Sequence, residues 1–186
     1  MTQRTFDYPI LDVIQARWSP RAFSAEPVQT EQLHQLLEAL RYAPSSSNEQ
    51  PWRVIVATSN PTKAKLQAAL VEANREWAQH APVLIALCAQ TITASGKPNR
   101  YAQFDVGAAW AFLALEATHL NLCVHAMGGF DPQAVHASFK LDPELQVVAV
   151  IALGHQGDPQ QLSEKLQVRE HPNSRKSRDE ICLLMG

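Results

Sequence analysis

Two arginines flank a hydroxyl in the segment Arg17-Trp18-Ser19-Pro20-Arg21. A guanidinium presents its N–H donors in a rigid fork, so two of them around a serine, just beyond a helix end, suit a phosphate or another anion. Solvated surface arginines are the alternative. A second arrangement, Ala43-Pro44-Ser45-Ser46-Ser47-Asn48-Glu49-Gln50-Pro51-Trp52, places three hydroxyls and two amides between a helix and a strand. Such a loop offers donors and acceptors to a planar heteroaromatic ligand, and a polar Ser/Asn/Pro turn is the alternative. The seven glycines form neither GxGxxG nor GxxxxGK[ST], and HExxH and GxSxG are absent, so any phosphate must be held by side chains.

Other chemistries find less support. The seven histidines, among them His34, His125 and His171, are scattered without ligand spacing, which excludes an obvious metal motif. Cys88, Cys123 and Cys182 are too far apart in sequence for a CxxC pair and odd in number, which points to reduced, mostly buried thiols. Lys165, Arg169, Arg175, Lys176 and Arg178 form a basic stretch, but Glu164, Glu170, Asp179 and Glu180 interleave it, so a nucleic-acid patch is not supported.

Taken together, the first two segments resemble the nitroreductase family of FMN-dependent oxidoreductases. The matches are Arg17, Ser19 and Arg21, then Pro44, Ser45, Ser46, Asn48, Gln50, Pro51 and Trp52. The likeness continues through Asn74 and Trp77 before Ala81-Pro82, then Asp105-x-Gly107-Ala108-Ala109, Gly128-Gly129-Phe130-Asp131 and Arg175-Lys176, and so covers practically the whole chain. It implies an α+β fold with a central, mainly antiparallel sheet flanked by helices, dimeric with exchange of C-terminal arms. It also implies FMN, not FAD, as cofactor. Arg17, Ser19 and Arg175 resemble the phosphate ligands, with Trp18 in the same segment. Arg21 is similar to the cation near flavin N1 and O2, where negative charge gathers on reduction. Pro44, Ser45, Ser46 and Asn48 resemble the loop that reaches the flavin of the other subunit. Asn74 resembles the amide that bonds the pyrimidine edge, and Met127, Gly128 and Gly129 match the segment whose backbone N–H faces N5.

The chain departs from the pattern at two places. Gly128 stands where many relatives carry Glu, which removes a carboxylate from nicotinamide binding, and Trp77 stands where some relatives carry Lys. Trp77 either stacks on or shields the ring, or is a buried core residue. The resemblance implies a homodimer that takes a hydride from NADH or NADPH onto flavin N5 and passes electrons to a nitroaromatic, quinone or related acceptor, with ping-pong kinetics and no side-chain acid or base. The acceptor would meet residues 91 to 104, including Tyr101 and Phe104. A specialised flavin reaction on a dedicated metabolite and a non-catalytic flavin-binding protein are the two rival readings.

The elements that must position these residues can be read from periodicity. Ile10, Val13 and Ile14 predict a short helix ending near Arg17, and Thr30 caps an amphipathic helix whose stripe is Leu33, Leu36, Leu37, Leu40 and Ala43. Trp52 to Ala57 reads as a strand, Pro61 opens a helix through about Ala73, and Val83 to Ala89 suits a central strand buried on both faces. The segment from Asp105 to Leu120 is apolar nearly all round and must therefore be buried. Asp131 caps a short helix through Phe139, and Val147 to Leu153 is another buried strand. The apolar end Ile181 to Met185 follows a polar arm and points to docking on another surface, a second subunit being one candidate.

These elements intermix without repeats, which gives a single α/β or α+β layer fold spanning residues 1–186. Of the 186 residues, 46% are hydrophobic and 18% charged, with a net charge of −2, an ordinary globular balance that argues against nucleic acid as partner. Met1 to Ile10 has no apolar signal core and no stretch approaches a spanning helix, so a cytoplasmic protein is expected.

Overall fold

A computed structural model describes residues 4–184. Met1 to Gln3, within the N-terminal stretch read above, and Met185, within the apolar C-terminal end, lie outside the described residues. Four strands, β1 (Trp52–Ala57), β2 (Val83–Gln90), β3 (Cys123–Met127) and β4 (Leu145–Gly154), form a sheet in the spatial order β1-β2-β4-β3. Every pairing in it is antiparallel.

Side-chain alternation along β2 divides the core in two. Leu84, Ala86 and Cys88 face one side, where α3 (Asn60–Ala69), α4 (Glu72–Ala78) and α6 (Pro132–Phe139) supply Leu66, Trp77 and Val135. Val83, Ile85, Leu87 and Ala89 face the other, where α2 (Thr30–Arg41) and α5 (Ala102–His119) supply Leu36, Leu40, Val106 and Leu113. The result is the expected α+β arrangement of an antiparallel sheet between helical layers.

Several element boundaries differ from the sequence reading. The residue preceding α2 is Gln29, whose backbone N–H donates to Gln32 Oε1 at 3.0 Å, so Thr30 is already helical and not the cap. The helix opened by Pro61 does not run to Ala73. It stops at Ala69 because Leu70 pairs with Phe130 and the Val71 N–H donates to the Gly129 carbonyl, and α4 begins anew at Glu72. Helix α5 begins three residues before Asp105. Asp131 does cap α6, its Oδ1 accepting from the N–H groups of Gln133 and Ala134 at 2.9 and 3.2 Å.

Burial of α5 on all sides is not met within one chain. Phe104 is 79% exposed and Phe112 41%, because the sheet and α2 cover only part of the helix surface. Val13 of α1 (Asp12–Ala16), Ala39, Phe112 and Leu115 line an open apolar groove of about 290 Å³ along this uncovered side. After β4, α7 (Glu164–Gln167) is anchored by buried Leu166, and the arm continues to α8 (Arg178–Ile181), beyond which Leu183 and Leu184 are exposed.

Candidate functional site

Arg17, Trp18, Ser19, Arg21 and Arg175 come together around one cavity of about 160 Å³. Arg4, His125, Arg169, His171, Pro172 and Asn173 complete its walls. The Arg17 segment leaves α1 in extended conformation, and Arg4 Nη1 fixes the turn by donating to the carbonyls of Gln15 (3.1 Å) and Arg17 (2.9 Å). Arg17 Nη1 in turn donates to Ser19 Oγ at 3.3 Å. Partial burial, followed by the charges of Arg175 and Arg4, lowers the pKa of Arg17. Burial followed by Arg169 lowers that of Arg21, against the opposing pull of Glu170. These cations repel one another, so an anion that satisfied several of them would be strongly favoured. Arg4 Nε is buried with no hydrogen-bond partner. The donor set and its surplus of positive charge fit the phosphate of a mononucleotide.

Below the cavity, His125 of β3 places Nδ1 2.9 Å from the Pro20 carbonyl, which can only accept, so the neutral ring carries its proton there. Burial pushes its pKa down to about 4; the Pro20 carbonyl bond opposes this and the Arg21 charge adds to it. The ring leans on Trp77, with centroids 4.6 Å apart, and Trp77 stacks on Phe23 at 6.2 Å. At 2% exposure Trp77 is a core side chain, which decides between the two sequence readings.

Asn74, one helical turn before Trp77 on α4, meets the segment that leaves β3. Its Nδ2 donates to the Gly129 carbonyl at 3.0 Å. A Cβ at Gly129 would lie 2.7 Å from that nitrogen and 2.9 Å from Val71 Cγ2, so glycine is required by close approach. Gly128 is the opposite case: nothing lies within 4 Å of where its Cβ would be, and its position is open. Met127 is buried at the end of β3. His125, which lines the arginine cavity, and Gly129, which accepts from Asn74, are four residues apart, so at most about 13 Å of extended chain joins the two.

The polar loop lies elsewhere. Among the described residues, none of Pro44, Ser45, Ser46 or Asn48 lines the arginine cavity, so one chain does not bring the two sequence clusters together. Ser47, Asn48 and Gln50 have φ of 51°, 57° and 47°, left-handed values that cost non-glycine residues energy and are held by surrounding bonds. Asp105 Oδ2 accepts the Ser46 N–H at 3.1 Å, Ser45 Oγ accepts the Gln50 N–H at 3.0 Å, and Glu49 Oε2 accepts the Ala94 N–H at 3.1 Å. Asp105, 2% exposed, is thereby a support of the loop, and its signal in the sequence is an acid in the first turn of an apolar helix.

Sequence reasoning did not single out Arg4, His125 or His171 for this site, and it read Arg169 as part of an interleaved surface stretch. Spacing alone gives no sign that Arg4 and the arm around Arg169 converge on Arg17. Cys88 and Cys123 are free thiols pushed up to about 11 by burial, which suits inert positions. Among the described residues, no cluster of three or more His, Cys, Asp and Glu could hold a metal, and no helix is long and apolar enough to cross a membrane.

The sequence profile of the Nitroreductase family matches residues 14–76 and 65–155. The chain belongs to that family, whose members are FMN-dependent NAD(P)H oxidoreductases, and this is the class its fold and site define. It is 29% identical over 194 aligned residues to an NADH dehydrogenase of Thermus thermophilus, covering 85% of this chain and 93% of that protein. A nitrobenzene nitroreductase of Ectopseudomonas oleovorans is 44% identical over 64 residues, 34% of this chain and 28% of that protein. A solved structure described as an oxidoreductase containing FMN superposes with a TM-score of 0.91 at 34% identity, covering 96% of this chain and 93% of that one. A protein classed as a nitroreductase from Desulfovibrio desulfuricans, solved in complex with FMN, gives 0.79 at 26% identity, covering 97% and 99%.

Proposed function

We propose that the chain, one domain over residues 1–186, acts as a cytoplasmic homodimer that oxidises NADH or NADPH and reduces a nitroaromatic, quinone or related acceptor in a ping-pong cycle. When bound, FMN supplies the two-electron chemistry, accepting hydride at N5 and passing it on. Arg17, Ser19 and Arg175, with Trp18 beside them, hold the phosphate, and Arg21 places a fixed cation where negative charge develops. Asn74, whose Nδ2 donates to the Gly129 carbonyl, would orient the pyrimidine edge of the bound flavin, and the backbone N–H groups of the Met127, Gly128 and Gly129 segment would face it. No side-chain acid or base is assigned to the hydride step.

The observation that carries this reading is the convergence of Arg4, Arg17, Arg21, Arg169 and Arg175 on one cavity in a chain without a glycine-rich cradle. The relatives described as an FMN-containing oxidoreductase, an NADH dehydrogenase and a nitrobenzene nitroreductase support the same reaction. At Gly128 a side chain would meet nothing within 4 Å, and glycine supplies no carboxylate there for the nicotinamide. The dimer is supported by the exposed apolar face of α5 and by the loop of Pro44, Ser45, Ser46 and Asn48, which does not line its own chain's arginine cavity and would instead reach the partner's flavin. Segment 91 to 104 adjoins that loop through Ala94 and Glu49 and presents Tyr101 and Phe104 to an acceptor. Free cysteines suit a reducing compartment. Mass analysis of cofactor released from the purified protein tests the reading. FMN is expected, and FAD, or a protein that cannot be reconstituted with FMN, would contradict it.

A further inference from the structure

The wall of the arginine cavity that carries Arg169, His171, Asn173 and Arg175 belongs to the arm after α7, about 150 residues from the Arg17–Arg21 loop. Its last deep anchor in the core is Leu166, at 3% exposure. From there to Arg175, one side chain joins the arm to the loop by several bonds at once. Glu170 Oε1 accepts from the backbone N–H groups of Arg21 (2.8 Å) and Ala22 (2.9 Å), and its Oε2 is 3.0 Å from the Arg21 nitrogen. The only other direct bond between the two segments among the described residues is a long one, from Arg21 Nη1 to the Arg169 carbonyl at 3.5 Å.

We propose that Glu170 is a positioning residue whose carboxylate clasps the C-terminal arm onto the Arg17–Arg21 loop, so that the phosphate site exists only when the arm is docked. The inference rests on the reading of this cavity as the FMN phosphate site. It runs against the simple electrostatic expectation. Glu170 is an anion beside an anion site, and Coulomb's law alone says that removing it should tighten phosphate binding. Its retention makes sense if the three short contacts contribute more by holding Arg169 and Arg175 in place than the negative charge costs. The hydrogen bonds of the carboxylate go to backbone donors, so it takes no guanidinium donor of the cavity away from the ligand.

Glu170→Gln and Glu170→Ala separate charge from geometry. A glutamine with its carbonyl oxygen at the Oε1 position can still accept both N–H groups, but carries no charge; alanine can do neither. The apoprotein of each is titrated with FMN, and each is exposed to limited trypsin with cleavage after Arg169 and Arg175 followed by mass. Alanine should weaken FMN binding by about tenfold or more, as for loss of a charge-assisted hydrogen bond, and speed cleavage of the arm, whereas glutamine should stay within about threefold of wild type in both. FMN should slow arm cleavage in the wild type. If Glu170→Ala binds FMN as well as or better than wild type, or if its arm is cut no faster, the clasp is overturned. Should the alanine variant not fold, Glu170→Asp, which keeps the charge but withdraws the carboxylate by one methylene, takes its place with the same readings. A wild-type protein that takes up no FMN would contradict the cofactor assignment instead, and the cleavage rates would still decide whether Glu170 holds the arm.

Discussion

The residues that define this site act through charge placed without backbone assistance. Arg17 and Arg175 reach the cavity from opposite ends of the chain, and burial followed by the charges of Arg175 and Arg4 lowers the pKa of Arg17, so an anion bound between them is favoured. Replacing either by alanine should weaken FMN binding by roughly 1.5 to 3 kcal/mol, the range for hydrogen bonds to charged groups, with the fold intact. Equilibrium titration of the two variants checks this, and unchanged affinity in both would remove them from the site. The substitution sites are half-buried and exposed respectively, so neither change opens a cavity in the core.

At the scale of elements, strand β3 and helix α4 connect the arginine cavity to the Asn74–Gly129 contact through His125 and Trp77. His125 gives this connection a pH signature. Its pKa is about 4 in the fold, chiefly through burial, against 6.5 when unperturbed, so between those values the unfolded chain binds the extra proton. Stability should therefore fall as the pH drops from about 6.5 to about 4, by an amount of order 3 kcal/mol, and level off below. Chemical denaturation across this range should show the loss in the wild type, and His125→Gln should remove that part of the slope; an identical slope in both would place the titration elsewhere. The same connection shows what was legible in the sequence. The long apolar run at Val83 and the cap at Asp131 were readable because each states its own environment. The break at Leu70 was not, because it is caused by pairing with Phe130, sixty residues away. Strand β3 is only five residues long and His125 interrupts its apolar run, so the short strand that carries His125 into the cavity has little local signal.

Among the described residues the polar loop fixed by Asp105 does not line the arginine cavity, which lies near the Asn74–Gly129 contact. A closed two-fold dimer would bring each loop to the partner's cavity and would cover Phe104 and Phe112 in the same step. Mixing an Asn48→Ala subunit with an Arg17→Ala subunit tests that arrangement. If the residues serve one flavin from opposite subunits, one site of the heterodimer carries both lesions and the other neither, and about half of wild-type activity per dimer should return. Absence of rescue would place both residues in one subunit's pocket and refute the shared site. The central claim, that this assembly moves electrons from a nicotinamide through FMN, is tested most directly by titrating the FMN-loaded protein with NADH and, separately, NADPH under anaerobic conditions while following the yellow absorbance. The account predicts rapid, stoichiometric bleaching by at least one nicotinamide, with colour restored on adding a quinone or nitroaromatic; an oxidised flavin that persists in excess of both nicotinamides would contradict it.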